Sequence, residues 1–263
     1  KERDVPQEAS FRRALDGMDL LYAHQETCVW RMTRLVDGHP ESRPYVERGW
    51  PFFETSVSQF IKPSHLCLDL GSEVARRALA EFQGEIKEPE ALAAQGECDI
   101  EGGGAFDKLK DARRPPLVPE RFAEEERTKA VTNGKDVDVL IQLQEKVALL
   151  TLSQSHELIF SSLGWGRSEV ALLVPALQLC SSLQSLDLDG NKLDPEDAAL
   201  IADQLVGLLL LTTLRLNKNS IGVEGAKALA EKLPAGLTTL GLDGNSIGGE
   251  GAKALAEKLP AGL

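Results

Sequence analysis

Apolar residues recur at fixed spacing through the C-terminal third of the chain. Residues 211–236 and 237–262 share the pattern LTTLxLxxNSIGxEGAKALAEKLPAG, and a more diverged copy, LQSLDLDGNKLDPEDAALIADQLVGLLL, occupies 183–210. In each copy, alternating leucines predict a short strand. Apolar residues at helical spacing, such as Ala226, Leu229 and Leu233, predict a helix after it. The pattern therefore predicts one strand and one helix in each copy.

The opening of each copy reads L-x-x-L-x-L-x-x-N, which is the signature of a leucine-rich repeat. The remainder, N-x-[IL]-G-x-E-G-A-x-A-L-A-x-x-L, resembles the ribonuclease-inhibitor class of these repeats, also found in NOD-like receptors. The resemblance covers 183–262 and implies a right-handed α/β horseshoe, with strands inside and helices outside. It implies no single activity, because many binding proteins share this scaffold.

The two nearly identical copies differ mainly where the strand faces away from the core. Three of their four differences lie there: Arg215/Gly241, Asn217/Asp243 and Lys218/Gly244; the fourth is Val223/Gly249. Two interpretations stay open: drift of exposed positions, or a concave face whose side chains read a protein partner. On the second interpretation, the predicted partner-binding residues are Trp165, Asp187, Asp189, Arg215, Asn217, Lys218 and Asp243.

Two further relationships follow from the repeat register. Asp187 and Arg215 occupy equivalent positions, so they are expected on neighbouring strands about 4.8 Å apart. An ion pair between them would be exposed and worth less than about 1 kcal/mol. Asn191, Asn219 and Asn245 also share a position, and we predict that their amides bond main-chain groups at the turn after each strand.

The first 82 residues alternate predicted strands and helices, which indicates a small, mostly parallel α/β domain. The predicted elements are a helix at 7–16, strands at 18–23 and 28–35, a helix at 51–61, a strand at 65–70 and a helix at 72–82. In the second helix, Phe53, Val57, Phe60 and Ile61 mark the expected buried stripe.

The rest of the chain divides by composition. Residues 83–134 are rich in Gly, Pro and charge and are predicted to be a largely irregular linker. A connecting helix is expected within 135–157, and repeats from 158 to 263. Residues 158–182 match the repeat imperfectly, with Trp165 expected near the concave edge, and are predicted to be the atypical N-terminal cap.

Four segments of the N-terminal region also resemble a known domain. They are LYAHQETCVWRMTRL, RPYVERGWPFFETSVSQFIKP, CLDLG and the later TNGKDVD. An uncharacterised domain with such segments recurs upstream of leucine-rich repeats in proteins of unicellular algae. The resemblance covers about residues 10–150 and implies no known activity.

One enzymatic alternative rests on the segment Trp50-Pro51-Phe52-Phe53-Glu54. It resembles the W-C-x-x-E motif of plant TIR domains, and the resemblance implies that Glu54 would support NAD cleavage by stabilising positive charge on the ribose. The chain departs from that family, because Pro51 replaces the cysteine and the opening Asp-x-Phe strand is absent. An acid near a helix start is also ordinary, since it favours the helix dipole.

The composition limits the classes of partner that the chain is expected to bind. The net charge is −12, which disfavours binding to nucleic acid and to anionic membranes. The longest apolar stretch, around 205–211, is too short to span a bilayer. No motif predicts a metal or a cofactor. Four cysteines without paired spacing indicate free thiols in the cytoplasm or another reducing compartment: Cys28, Cys67, Cys98 and Cys180.

The final residue, Leu263, begins another repeat, so the chain is expected to be a segment of a longer protein. An uncapped repeat edge exposes core leucines, and this edge is expected to associate with a neighbour. The sequence thus predicts a non-catalytic scaffold that binds a protein through the concave face. The alternative is a TIR-like NAD hydrolase or signalling domain coupled to a leucine-rich repeat sensor.

Overall fold

The computed structural model describes residues 5–7, 9–10, 28–31, 33, 43–62, 67–69, 113–131 and 134–260. The chain forms two compact units: Lys1–Arg113 with Thr128–Val137, and Arg114–Arg127 with Asp138–Leu263. The predicted strand 18–23, the predicted helix 72–82 and most of the predicted helix 7–16 lie outside the described residues. The four-part division of the chain made from sequence stays a prediction.

In the described part of the first unit there are a parallel pair of strands, helical residues at 5–7 and 9–10, a short 3-10 helix (Tyr45–Glu47) and a ten-residue α-helix. Strand β1 (Val29–Arg31) pairs with β2 (Cys67–Asp69) in parallel, within the predicted strands 28–35 and 65–70. Helix α1 (Gly49–Ser58) begins slightly before its predicted start and carries Pro51 in its first turn, where the missing N–H costs nothing. Of the predicted buried stripe, Phe53, Val57 and Phe60 are buried and Ile61 is half-buried.

A buried arginine from later in the chain bonds the residues just after this helix. Arg113 donates from Nε to the carbonyl oxygen of Gln59 at 3.0 Å and from Nη2 to that of Phe60 at 3.1 Å. Carbonyl groups at a helix end lack partners within the helix, so these bonds satisfy the chain just beyond α1. Burial lowers the pKa of the Arg113 guanidinium to about 10.

The second unit begins with a helix that the sequence did not predict. Helix α2 (Pro119–Glu126) lies inside the segment 83–134, which was expected to be largely irregular. It forms because Pro119 suits a first helical turn and because Phe122 and Ala123 are buried. Residues 83–112 lie outside the described part of the chain.

Next along the chain is helix α3 (Asp136–Gln154), where the sequence predicts the connecting helix. Four strand–helix units follow it. Their strands are β3 (Glu157–Ile159), β4 (Ser185–Asp187), β5 (Thr213–Arg215) and β6 (Thr239–Gly241). Their helices are α4 (Arg167–Leu177), α5 (Pro195–Leu205), α6 (Gly222–Ala230) and α7 (Gly248–Lys258).

The four strands form one parallel sheet in chain order. The helices stack in the same order, each on the next. Leu186, Leu188, Leu214 and Leu216 are each 0% exposed, which confirms the predicted repeat architecture. None of the helices among the described residues is both long and apolar enough to cross a membrane.

Close stacking of the helices depends on a glycine in each of the last two repeats. A Cβ on Gly225 would lie 2.6 Å from Cγ2 of Ile221 and 3.0 Å from Cβ of Ala198 in the preceding helix. Gly251 occupies the same position one repeat later, and a Cβ there would lie 3.1 Å from Cβ of Ala226. The sequence E-G-A thus lets helices α5, α6 and α7 approach closely.

Candidate functional site

The candidate site is the face of the repeat sheet that points away from the helices. Side chains alternate across a strand, so the residues flanking each buried leucine point to this face. We call it the concave strip. It consists of the two outward strand positions and the two positions after them in each repeat: 157, 159, 161 and 162; 185, 187, 189 and 190; 213, 215, 217 and 218; 239, 241, 243 and 244.

Asp187 and Arg215 are register partners on β4 and β5, as the repeat spacing predicts. Their charges interact, but the Asp187 carboxylate accepts a hydrogen bond from the main-chain N–H of Asp189 at 2.9 Å. Burial raises the pKa of Asp187, and the nearby Arg215 charge opposes that rise only in part. No ion pair of the described residues joins the two side chains, so the Arg215 guanidinium stays exposed on the strip.

A ladder of polar contacts runs across the turn that follows each strand. The Asp189 carboxylate accepts from the main-chain N–H of Asn217 at 2.6 Å and from its Nδ2 at 3.0 Å. Oδ1 of Asn217 in turn accepts from the main-chain N–H of Asp243 at 2.8 Å. Asp189 and Asn217, both predicted to bind a partner, therefore use much of their bonding capacity within the array.

The cations of the strip differ from the cations near the helices in their ion pairing. Cations in the helices of the array, or just after them, form ion pairs with neighbouring acids: Arg167 with Glu196 and Asp197, Lys227 with Glu224 and Glu250, Lys232 with Asp203, Lys253 with Glu257, and Lys258 with Glu231. Arg215 and Lys218 are exposed, and neither belongs to an ion pair among the described residues. They are therefore open to an external ligand.

Lys218 also has an uncommon backbone conformation. Its φ is +53°, in the left-handed region, and the equivalent positions in the flanking repeats are Gly190 at +67° and Gly244 at +69°. Ser162 occupies the same position in the first repeat at +58°. A side chain in this region carries a steric cost that glycine avoids.

The prediction that Trp165 belongs to the partner-binding site is wrong. It is 2% exposed and packs on Phe160, with ring centroids 4.7 Å apart, so it is not available on the strip. The 28-residue register explains this burial, because Trp165 precedes Leu193 by one repeat and so occupies a core position. Alignment on that register would have revealed it, and would also have added Glu157, Ser185, Thr213 and Thr239 to the strip.

The shared asparagines have the structural role predicted for them. Nδ2 of Asn219 donates to the carbonyl oxygens of Leu188 and Leu216 at 3.0 Å each, and its Oδ1 accepts from the N–H of Leu193 at 3.1 Å. Asn191 and Asn245 make equivalent bonds one repeat away on either side. This confirms that the three amides join adjacent turns.

The enzymatic alternative centres on Glu54, which lies half-buried in α1. Its Oε2 accepts a hydrogen bond from the Tyr45 hydroxyl at 3.2 Å. Trp50, the first residue of the W-x-x-x-E segment, donates from Nε1 to Oδ2 of Asp136 at 3.3 Å and packs edge-on against Phe53. These contacts hold the segment as part of a packed helix, and the catalytic role of Glu54 stays a prediction.

Comparison with known proteins gives a family match for the repeats. Residues 179–202, 209–230 and 237–256 match the family model described as Leucine Rich repeat. One similar solved structure is the leiomodin-1 actin-binding site 2, 19% identical over 44% of this chain and 71% of that chain, with a TM-score of 0.38. No curated protein matches the chain. Residues 179–256 of this chain therefore carry leucine-rich repeats.

Proposed function

We propose that the repeat segment binds a protein partner through the concave strip and performs no chemistry itself. The observation that carries this proposal is the separation of constant from variable positions. Between 211–236 and 237–262 the buried positions are identical, and three of the four differences lie on the strip. The side chain of Arg215 and that of Lys218 are exposed there.

The chemistry of the strip suits a protein surface. It carries both signs of charge, on Asp187, Arg215, Lys218 and Asp243, together with threonines. Pockets for small molecules are concave and mostly apolar, which this strip is not. Four neighbouring strands make a short surface, so we expect modest affinity from this segment alone.

The repeat subtype and the N-terminal domain belong to the same proposal. The segments N-x-[IL]-G-x-E-G-A support the ribonuclease-inhibitor class, and the strings of residues 10–150 support an algal domain of unknown activity. A polar strip on a rigid repeat scaffold is consistent with that assignment. The proposed unit is thus a non-catalytic scaffold whose repeats recognise the partner.

The test is affinity capture from extracts of the source cells with the full chain as bait. We expect the charge reversal Arg215→Glu/Lys218→Glu to weaken a captured partner about tenfold or more. The matched control, Lys227→Glu/Lys232→Glu, makes the same change in charge on the helical face and should leave binding nearly intact. Equal losses with both pairs would contradict a concave binding site.

A further inference from the structure

We propose that the partner meets the pair Arg215 and Lys218 with carboxylate side chains, so that the strip recognises an acidic segment of a protein. This inference rests on the proposed function, and it specifies the chemistry of the partner. The pair stands on one strand and the turn that follows it, with both side chains exposed. Four observations support this proposal.

The first is the distribution of ion pairs over the array. The helical cations are neutralised by acids of the same chain, for example Lys227 by Glu224 at 2.9 Å and Arg167 by Glu196 at 2.9 Å. Arg215 and Lys218 take part in no ion pair of the described residues, although acids flank them on the strip. Their charge is therefore left for a ligand.

The second is that two of the flanking acids, Asp187 and Asp189, are fixed by hydrogen bonds within the array. Asp187 is held by the N–H of Asp189, and Asp189 by the N–H and amide of Asn217. Such bonds hold these carboxylates at the turn, and they form no ion pair with the cations of the neighbouring strand. These two carboxylates therefore leave the hydrogen-bonding groups of the pair open to a carboxylate from outside the array.

The third is the backbone at Lys218. The turn before it and the turn after it have glycine in the same left-handed conformation, Gly190 and Gly244. Lysine has no conformational advantage there, and its long side chain lies on the exposed side of the sheet. A side chain kept at an unfavourable backbone position is a reason to infer a role for that side chain.

The fourth is the open space beside Lys218. The next repeat has Gly241 where this one has Arg215, and Gly244 where this one has Lys218. A Cβ at Gly244 would lie 3.5 Å from Cα and 3.6 Å from Cγ of Lys218, so any side chain there would cover the lysine stem. The missing side chain at Gly244 leaves the approach to Lys218 clear, whereas Asn217 occupies the space over Gly241.

Carboxylates suit this pair chemically. The guanidinium presents a planar fork that binds a carboxylate with two parallel hydrogen bonds, and the ammonium adds a compact charge. Because the whole chain carries −12, its net charge repels an acidic partner, and attraction depends on local positive charge such as this pair. Recognition of an acidic segment by this pair weakens as salt screens the charges.

The test is a selection of random short peptides by display on the full 263-residue chain. We expect the enriched peptides to carry an excess of Asp and Glu. Their affinity should fall about tenfold or more for Arg215→Gly/Lys218→Gly, which copies residues 241 and 244 of the chain itself. It should also fall between about 50 and 500 mM salt. The control Lys227→Gln/Lys232→Gln should leave it unchanged.

Glycine at position 218 relieves the left-handed backbone and glycine at position 215 weakens the strand, so the two effects offset each other in part, and circular dichroism on heating verifies that the variant folds. Enriched peptides without acidic excess that still lose binding with Asp187→Lys or Thr213→Arg would overturn the acidic partner and leave the proposed function standing. Acidic peptides unaffected by the glycine pair would also overturn the inference. A selection that yields no peptide sensitive to any change on the strip would overturn both.

Discussion

Asn217 reaches over Gly241 and accepts the main-chain N–H of Asp243 at 2.8 Å. A Cβ on Gly241 would lie 2.6 Å from Nδ2 of Asn217, so the glycine makes room for this contact. The replacement of Arg215 by Gly241 in the next repeat thus has a structural cause, because the glycine makes room for Asn217. The same replacement removes a cation from the strip. Arg215 and Lys218 are therefore a local feature of a single repeat.

The shared asparagines Asn191, Asn219 and Asn245 should be essential to stability. Asn219→Ala removes the donors to the carbonyls of Leu188 and Leu216 and the acceptor for the N–H of Leu193. Unpaired buried polar groups are costly, so we expect a loss of about 3 kcal/mol in the free energy of unfolding, measured with urea. Asn217→Ala, on the half-exposed strip, should cost about 1 kcal/mol. A similarly small loss of unfolding free energy in both variants would contradict the structural role of the shared asparagines.

Two glycines in the first turns of helices α6 and α7, Gly225 and Gly249, should respond in opposite ways to substitution by alanine. Gly225→Ala should destabilise the fold by about 1–3 kcal/mol, because the new Cβ meets Ile221 and Ala198. Gly249 has no heavy atom within 4 Å of a Cβ, so Gly249→Ala should stabilise α7 by about 0.5–1 kcal/mol. Thermal unfolding of both variants measures this difference. Stabilisation by Gly225→Ala would show that the helices do not approach as closely as described.

Replacing Asp187 should change stability in a pH-dependent way. Burial raises its folded-state pKa, so the folded chain binds that proton more tightly than the unfolded chain. The stability that this provides is present below the ordinary value of 3.8 and is lost as pH rises through the raised value. Asp187→Asn should therefore be more stable than the parent at pH 7, and the advantage should vanish in acid.

Denaturant unfolding across that pH range tests the expectation for Asp187. Asp138→Asn, on the exposed side of α3, controls for the simple loss of one negative charge. If Asp187→Asn were less stable than the parent at pH 7, attraction to Arg215 would outweigh burial. The charge balance described for the strip would then be wrong.

The NAD hydrolase alternative has its own measurement. The chain is incubated with NAD, and nicotinamide release is followed by chromatography. The account of the repeats as a binding scaffold predicts no release above a buffer blank. Release that Glu54→Ala abolishes, and that Glu47→Ala in the neighbouring turn leaves intact, would assign catalysis to α1.

The repeat core could be predicted from the sequence because its period is strict. Spacing alone placed Leu186, Leu188, Leu214 and Leu216 in the interior, and it paired Asp187 with Arg215 across two strands. It failed at Trp165, because the first repeat was not aligned on the 28-residue register that assigns this residue to the core.

Other features depend on contacts that no local pattern carries. Helix α2 is stabilised by burial of Phe122 within a segment whose composition favours loops. The sequence also could not show that Asp189 and Asn217 bond each other, because side-chain conformation decides this. The strip could thus be located from sequence, whereas its free cations required the structure.

The most direct test of the concave strip as the binding face is hydrogen–deuterium exchange of the chain with and without a captured or selected ligand. Peptides covering residues 185–191 and 213–220 contain β4, β5 and the turns with Asp187, Arg215 and Lys218. The account predicts slower exchange in these peptides on binding and unchanged exchange in α5, α6 and α7. Slower exchange confined to those helices, or to the first unit, would contradict it.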